Sequence, residues 1–152
     1  MKNTVTDRPV RVVVVDDSSE VRDVVISMVH SQPELQVVGE ACDGEQAVRK
    51  IEALRPDVVL LDLGLPTLNG FEVTRIIRKT SPKSKIVFVS QESSTDVVQE
   101  ALSLGAHGYV LKSDIASGLL EGVSAVLQGR HFLSKSLALV DFELVLSYSF
   151  SF

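Results

Sequence analysis

VVLLDLGLPTLN, at residues 58–69, sets one acidic residue, Asp62, between an apolar run and a turn-forming stretch. Val58, Val59, Leu60 and Leu61 read as a short buried strand, with Pro56 before it and Gly64-Leu65-Pro66 after it. Asp62 stands where that strand stops. In an open parallel α/β sheet, ligands gather at the carboxyl ends of the strands. A carboxylate at such an end either caps a helix or does chemistry, and the other strands decide which.

Upstream, Arg11 to Val15 form a continuous run ending in Asp16-Asp17. Ser18 or Ser19 is placed to cap a following helix, on which Val21, Val24, Val25, Met28 and Val29 form one apolar face. Gln32-Pro33 ends it, and Leu35 to Ala41 read as a second strand. Asp43-Gly44 then opens a helix carrying Ala47, Val48, Ile51 and Leu54. Downstream, Gly70 reads as a turn residue before a helix bearing Phe71, Ile76 and Ile77. Lys85 to Val89 is a fourth strand, ending at Ser90. Ser93-Ser94-Thr95-Asp96 starts a helix in capping-box fashion, and Gly105 fits its C-terminal end. His107 to Leu111 is a fifth strand, ending at Lys112. Asp114 is placed to cap a last helix with Ile115, Leu119, Val123, Val126 and Leu127, closed by Gly129. Unbroken apolar strands are expected when both faces of a parallel sheet are covered. Right-handed crossovers then give an α/β doubly wound, five-stranded parallel sheet with helices on both faces.

Composition limits the classes that remain. At 152 residues, 45% hydrophobic, the chain suits one domain that needs neither disulfides nor a metal staple. Cys42 is the only cysteine and reads as a small buried hydrophobe. The first ten residues lack the apolar run of a signal peptide, and no run approaches the roughly 18 residues of a membrane span. A cytoplasmic protein without membrane contact is expected. A net charge of −5 with no Lys/Arg cluster argues against nucleic-acid binding by this chain.

The residues after the strands are Asp16-Asp17, Asp62, Ser90 and Lys112, and a parallel sheet puts them on one edge. Each is ordinary alone: an acidic pair favours a helix N-terminus, and a lysine is usually solvated. Together they are not. Converging carboxylates repel one another unless a cation is present, and hard oxygen ligands suit Mg²⁺. A carboxylate can act as a nucleophile and form an aspartyl-phosphate, while a hydroxyl and an ammonium hold the remaining phosphoryl oxygens. The parts make a Mg²⁺-dependent phosphoryl-accepting site. A P-loop is excluded because no lysine follows the 64–70 glycines. A haloacid-dehalogenase-type aspartyl phosphatase needs a second aspartate where Gly64 stands, which leaves it a weak alternative.

At these residues the chain resembles the receiver domain of two-component response regulators. The resemblance covers residues 10–130 and rests on the acidic pair after strand one, LLDLGLPTLNG around Asp62, Ser90 after strand four, and GYVLK ending at Lys112. It implies a flavodoxin-like strand order 2-1-3-4-5. It implies phosphorylation of Asp62 by a sensor histidine kinase, a phosphotransfer protein or small phosphodonors, and Mg²⁺ held by Asp17, Asp62 and the Gly64 carbonyl, with Asp16 acting through water. Ser90 and Tyr109 would form the switch, Lys112 would stabilise the phosphoryl with Ser90, and Gly64 and Glu92 would tune its lifetime. Ser113 stands where many receivers have a proline after the lysine, and LKSD is similar to the LuxR/FixJ-type subclass. That subclass implies transcriptional regulation in a full-length protein, with the output domain absent from this chain. Such a chain is not an enzyme beyond its own phosphorylation and dephosphorylation at Asp62. The binding-module alternative is a receiver-like scaffold that is never phosphorylated.

Residues 131–152 read as a linker or tail. From Phe142 apolar residues fall on every second position (Phe142, Leu144, Leu146, Tyr148, Phe150, Phe152), a half-buried strand pattern. It leads to the expectation of an intermolecular contact, with homodimerisation through this apolar tail or through the receiver.

Overall fold

The computed structural model describes residues 8–139. Strands β1 (Val10–Val15), β2 (Leu35–Ala41), β3 (Val58–Leu61), β4 (Lys85–Ser90) and β5 (Gly108–Leu111) alternate with helices α1 (Ser19–His30), α2 (Gly44–Leu54), α3 (Gly70–Thr80), α4 (Thr95–Ser103) and α5 (Ile115–Leu127). A further strand, β6 (Phe132–Leu133), pairs in parallel with β5 and gives the order β2-β1-β3-β4-β5-β6. The doubly wound parallel class and the 2-1-3-4-5 order of the first five strands are as expected. The strand count is corrected from five to six, because two residues of the segment after residue 130 join the sheet. The apolar alternation from Phe142 lies outside the described residues.

Alternation along each strand divides the core into two layers. Val13, Val15, Val59, Leu61, Ile86, Phe88 and Tyr109 face α2, α3 and α4, where Ala47, Ile51, Val73, Ile77 and Val98 meet them. Val12, Val14, Val58, Leu60, Val87 and Val110 face α1 and α5, against Val25, Val29, Leu119, Val123 and Val126. Fully burying one such aliphatic side chain stabilises by roughly 1.5–3 kcal/mol, so these layers fix strand order and register. Val24 does not join them; it is 52% exposed on α1. Cys42 is exposed too, not buried, with its Sγ 3.5 Å from Gln46 Oε1.

Helix starts follow local chemistry at Ser18, Asp43 and Ser94, whose side chains accept from Val21, Gln46 and Val97 N–H. Asn69 and Glu72 form a reciprocal capping box at α3. Asp114 precedes α5, yet its side chain makes no cap bond. The Lys112–Ser113 peptide is trans, in keeping with the penalty of about 3 kcal/mol on a non-prolyl cis bond.

At the opposite end of the sheet, His107 Nδ1 accepts the Ile86 N–H at 3.1 Å, so the ring is held neutral. Burial, with Lys85 and Arg78 nearby, lowers its pKa from 6.5 to about 4. A folded-state pKa below the unfolded one means that the unfolded chain binds the extra proton first. Stability is therefore expected to fall as pH drops from 6.5 towards 4. Melting curves at pH 7.5 and 5 should show a smaller acid loss for His107→Gln than for the wild type, and equal losses would discard this assignment.

Candidate functional site

Register sets up the site. Val15 lies opposite Leu61, so the next residues, Asp16 and Asp62, leave the sheet side by side. The Asp62 amide donates to the Val15 carbonyl at 3.0 Å, which holds the two turns together. Asp16 is 3% and Asp62 7% exposed, whereas Asp17 projects into solvent. Asp16 Oδ1 accepts the Ser18 N–H and Asp62 Oδ1 accepts the Leu63 N–H, each at 2.9 Å, leaving the outer oxygens for other partners.

Those outer oxygens meet Lys112. Its Nζ lies 3.0 Å from Asp16 Oδ2 and 3.4 Å from Asp62 Oδ2. Burial and the Asp16 carboxylate push the Asp62 carboxyl above its ordinary range, and Lys112 offsets only part of that. Burial depresses the Lys112 ammonium, but its bond to Asp16 and the charge of Asp62 outweigh this and hold its pKa above the usual value. One ammonium among three carboxylates leaves an excess of negative charge. Asp16, Asp17 and Asp62 can each offer an oxygen within 4.8 Å of the others, a hard donor set that fits a divalent cation such as Mg²⁺.

The expected partners converge on the same place. Asp17, Asp62, Gly64, Ser90, Glu92 and Lys112 line one cleft of about 450 Å³ above the sheet edge, with Asp16 beneath. Ser90 is buried, and its Oγ accepts the Glu92 N–H at 3.1 Å. Tyr109 is fully buried and points inward, its hydroxyl donating to the Glu92 carbonyl at 2.7 Å. Burial, against a hydrogen bond with Ser90, raises the phenol pKa to about 12. The Tyr109 ring stacks on Phe88 at 5.9 Å, and Phe88 meets the edge of Phe71 at 6.0 Å, so an aromatic column backs the cleft. A Cβ on Gly64 would meet open space.

Two further residues brace this site: Arg22, which no sequence pattern marks, and Gly70, whose sequence reading is that of a turn residue. Arg22 Nη1 donates to the Asp16 carbonyl at 2.8 Å while its Nε pairs with Glu40 at 3.1 Å, clamping the acidic turn from α1. Its only sequence signal is a basic residue one helical turn inside α1. Gly70 is not a turn residue but the first of α3, and its N–H donates to the Leu63 carbonyl at 2.7 Å. A Cβ there would come within 2.6 Å of the Asp62 carbonyl oxygen and 2.7 Å of the Phe88 ring. Gly70→Ala is expected to cost about 1–3 kcal/mol through overpacking against the turn that carries Asp62. Urea unfolding measures this, and an unchanged midpoint would show that the turn yields freely.

Comparison with known proteins adds to the geometry. The profile of the response regulator receiver domain family matches residues 12–123. A protein-glutamate methylesterase/protein-glutamine glutaminase 3 of Geobacter sulfurreducens is 41% identical over 82% of this chain and 33% of its own length. The transcriptional regulatory protein DegU of Brevibacillus brevis is 35% identical over 88% of this chain and 56% of its own. The chain thus spans about a third to just over half of these relatives. A crystal structure of a LuxR-family two-component response regulator from Aurantimonas sp. SI85-9A1 superposes with a TM-score of 0.82 at 33% identity, covering 86% of this chain and 94% of that one.

Proposed function

The chain belongs to the response regulator receiver domain family, a signalling fold, and we propose that within it Asp62 is the phosphoryl acceptor of a two-component switch. The observation that carries this reading is the meeting of Asp16, Asp17 and Asp62 with the Lys112 ammonium, 3.0 and 3.4 Å from two of them, in an open cleft beside Ser90.

The acidic trio and the Gly64 carbonyl would hold Mg²⁺, with Asp16 acting through water. Bound there, the ion supplies positive charge to offset the carboxylates and the incoming phosphoryl oxygens. An Asp62 carboxylate oxygen attacks the phosphorus of a phosphohistidine or of acetyl phosphate. A new O–P bond forms as the P–N or P–O bond to the donor breaks. The imidazole leaving group regains a proton, and acetate departs as the anion. Lys112 pairs with one phosphoryl oxygen, and the Ser90 hydroxyl donates to another after releasing the Glu92 amide. Tyr109, already inward, occupies the space behind Ser90 and reports its position. Gly64 and Glu92 flank the approach of hydrolytic water and set the lifetime of the phosphoryl.

The donor is a sensor histidine kinase or phosphotransfer protein, and the chain catalyses nothing beyond its own phosphorylation and dephosphorylation. The domain runs over 10–130 with a following segment, and a longer protein would use it to control an output such as transcription. Among the described residues no helix is long and apolar enough to cross a membrane. A second copy of this chain is a further partner in this reading, through the receiver or through the segment after residue 130.

Incubation with acetyl phosphate and Mg²⁺, followed by intact-mass measurement, tests the reading. One phosphate-sized increase that EDTA prevents is expected. A folded protein that gains no mass would replace the acceptor by a phosphorylation-independent scaffold.

A further inference from the structure

Lys112 does not stand on a free loop. It opens a single 3-10 turn, Lys112–Asp114, between β5 and α5. Asp114 is 3% exposed and occupies the position from which a carboxylate would ordinarily cap α5, a bond typically worth about 1 kcal/mol. The fold forgoes that bond. Asp114 Oδ2 instead accepts the Ser136 N–H at 2.8 Å, and Oδ1 accepts the Ser136 hydroxyl at 2.6 Å. Burial pushes the Asp114 carboxyl up, and the bonds from Ser136 and Ser134 more than offset it, leaving the pKa below the usual value. On the other side of Lys112, the Leu111 N–H donates to Ser134 Oγ at 3.0 Å, and the Ser134 N–H donates to the Tyr109 carbonyl at 3.0 Å. The chain immediately before and shortly after Lys112 is thus tied to one short segment more than 20 residues further on. That segment is itself anchored. The Phe132 ring lies against Gly122 of α5, where a Cβ would come within 2.8 Å of it, and Leu137 is buried.

We propose that Asp114 is a positioning residue that joins Lys112 to the segment running from Phe132 to Leu137, so that the state of Asp62 and the docking of that segment depend on each other. This rests on the reading of Asp62 as acceptor. A phosphoryl on Asp62 adds charge and draws the ammonium away from Asp16. Lys112 opens the 3-10 turn that Asp114 closes, so any part of that shift passed to the backbone of the turn reaches Ser136 through the Asp114 carboxylate. Coupling of this kind is reciprocal: loosening the segment must alter the energetics at Asp62 by the same amount.

The test uses the whole chain as wild type, Asp114→Asn, Ser136→Ala and Ser136→Thr. Acetyl phosphate labelling by intact mass, Mg²⁺ affinity by titration calorimetry, and hydrogen exchange with and without Mg²⁺ and beryllofluoride are measured on each. Labelling of Asp114→Asn and Ser136→Ala is expected to slow about three- to tenfold while Mg²⁺ affinity stays within about twofold, with Ser136→Thr restoring the rate. Exchange over 131–139 in the wild type should change on adding beryllofluoride. Should Asp114→Asn not fold, Ser136→Ala decides, since it removes one hydroxyl and keeps the carboxylate. Wild-type labelling rates in the folded variants, or a fall in Mg²⁺ affinity parallel to the fall in rate, would overturn the coupling and leave Asp114 a purely structural residue. So would unchanged exchange over 131–139. A wild type that takes no label overturns the acceptor reading itself, and the coupling with it.

Discussion

Asp62→Asn is expected to abolish the mass increase from acetyl phosphate completely while leaving the protein folded. The substitution keeps the shape of the side chain and the acceptor that meets the Leu63 N–H, but an amide offers no carboxylate nucleophile. Stability should change little, within about 1 kcal/mol, because two electrostatic effects oppose each other. The 3.4 Å pairing with Lys112 is lost, and so is repulsion from Asp16, with which Lys112 remains paired at 3.0 Å. The pH profile separates the two. The Asp62 carboxyl titrates above its ordinary value of 3.8 in the folded state, so the stability it contributes is present below that pH and is lost as pH rises through the folded value. Asp62→Asn should lack that loss. Intact mass and urea midpoints at pH 4 and 7 measure both effects, and an adduct that persists in the variant would place the acceptor elsewhere.

Lys112→Met should bring the largest loss of stability, roughly 2–4 kcal/mol at neutral pH in the presence of EDTA. Methionine fills much of the same volume but leaves Asp16 and Asp62, whose side chains are 4% and 9% exposed, without a nearby cation. Lys112 keeps 15% of its side chain exposed at the cleft, and solvent there draws the figure towards the lower end. The deficit should shrink as pH falls and the Asp62 carboxyl, raised by burial and by Asp16, takes up a proton. Millimolar Mg²⁺ should also reduce it, since an ion that binds only the folded state stabilises that state by mass action. Urea unfolding at pH 5 and 7.5, with EDTA or Mg²⁺, measures all of this. A variant as stable as wild type in EDTA at neutral pH would show that the ammonium carries little of the balance.

Much of this arrangement is legible in the amino-acid sequence because parallel strands covered on both faces are written as unbroken apolar runs. Val58 to Leu61 is all apolar and all buried, so its last residue can be located, and with it Asp62. Ser90 and Lys112 are located the same way. Periodicity alone does not supply the strand order, which came from resemblance. β6 escapes because two residues carry no pattern; Phe132 and Leu133 become a strand only by pairing with β5. Val24 repeats at helical spacing with Val25 and Val29, but the sheet covers a narrower stripe of α1 than the spacing allows. Asp114 obeys a local rule for a cap that a distant serine overrides. Gly70 looks like a turn residue until the crowding around Asp62 is seen.

The two-residue strand also protects the protein from its own kind. Gly108 to Leu111 is a fully buried apolar run, the sort of template on which foreign strands grow when its edge is bare. Phe132 and Leu133 cover that edge, and the 3-10 turn that follows offers no regular ladder beyond them. A chain cut just after Arg130 would expose the flank of β5 and invite edge-to-edge aggregation, so clumping is expected of such a fragment even with every residue of the acidic cleft in place.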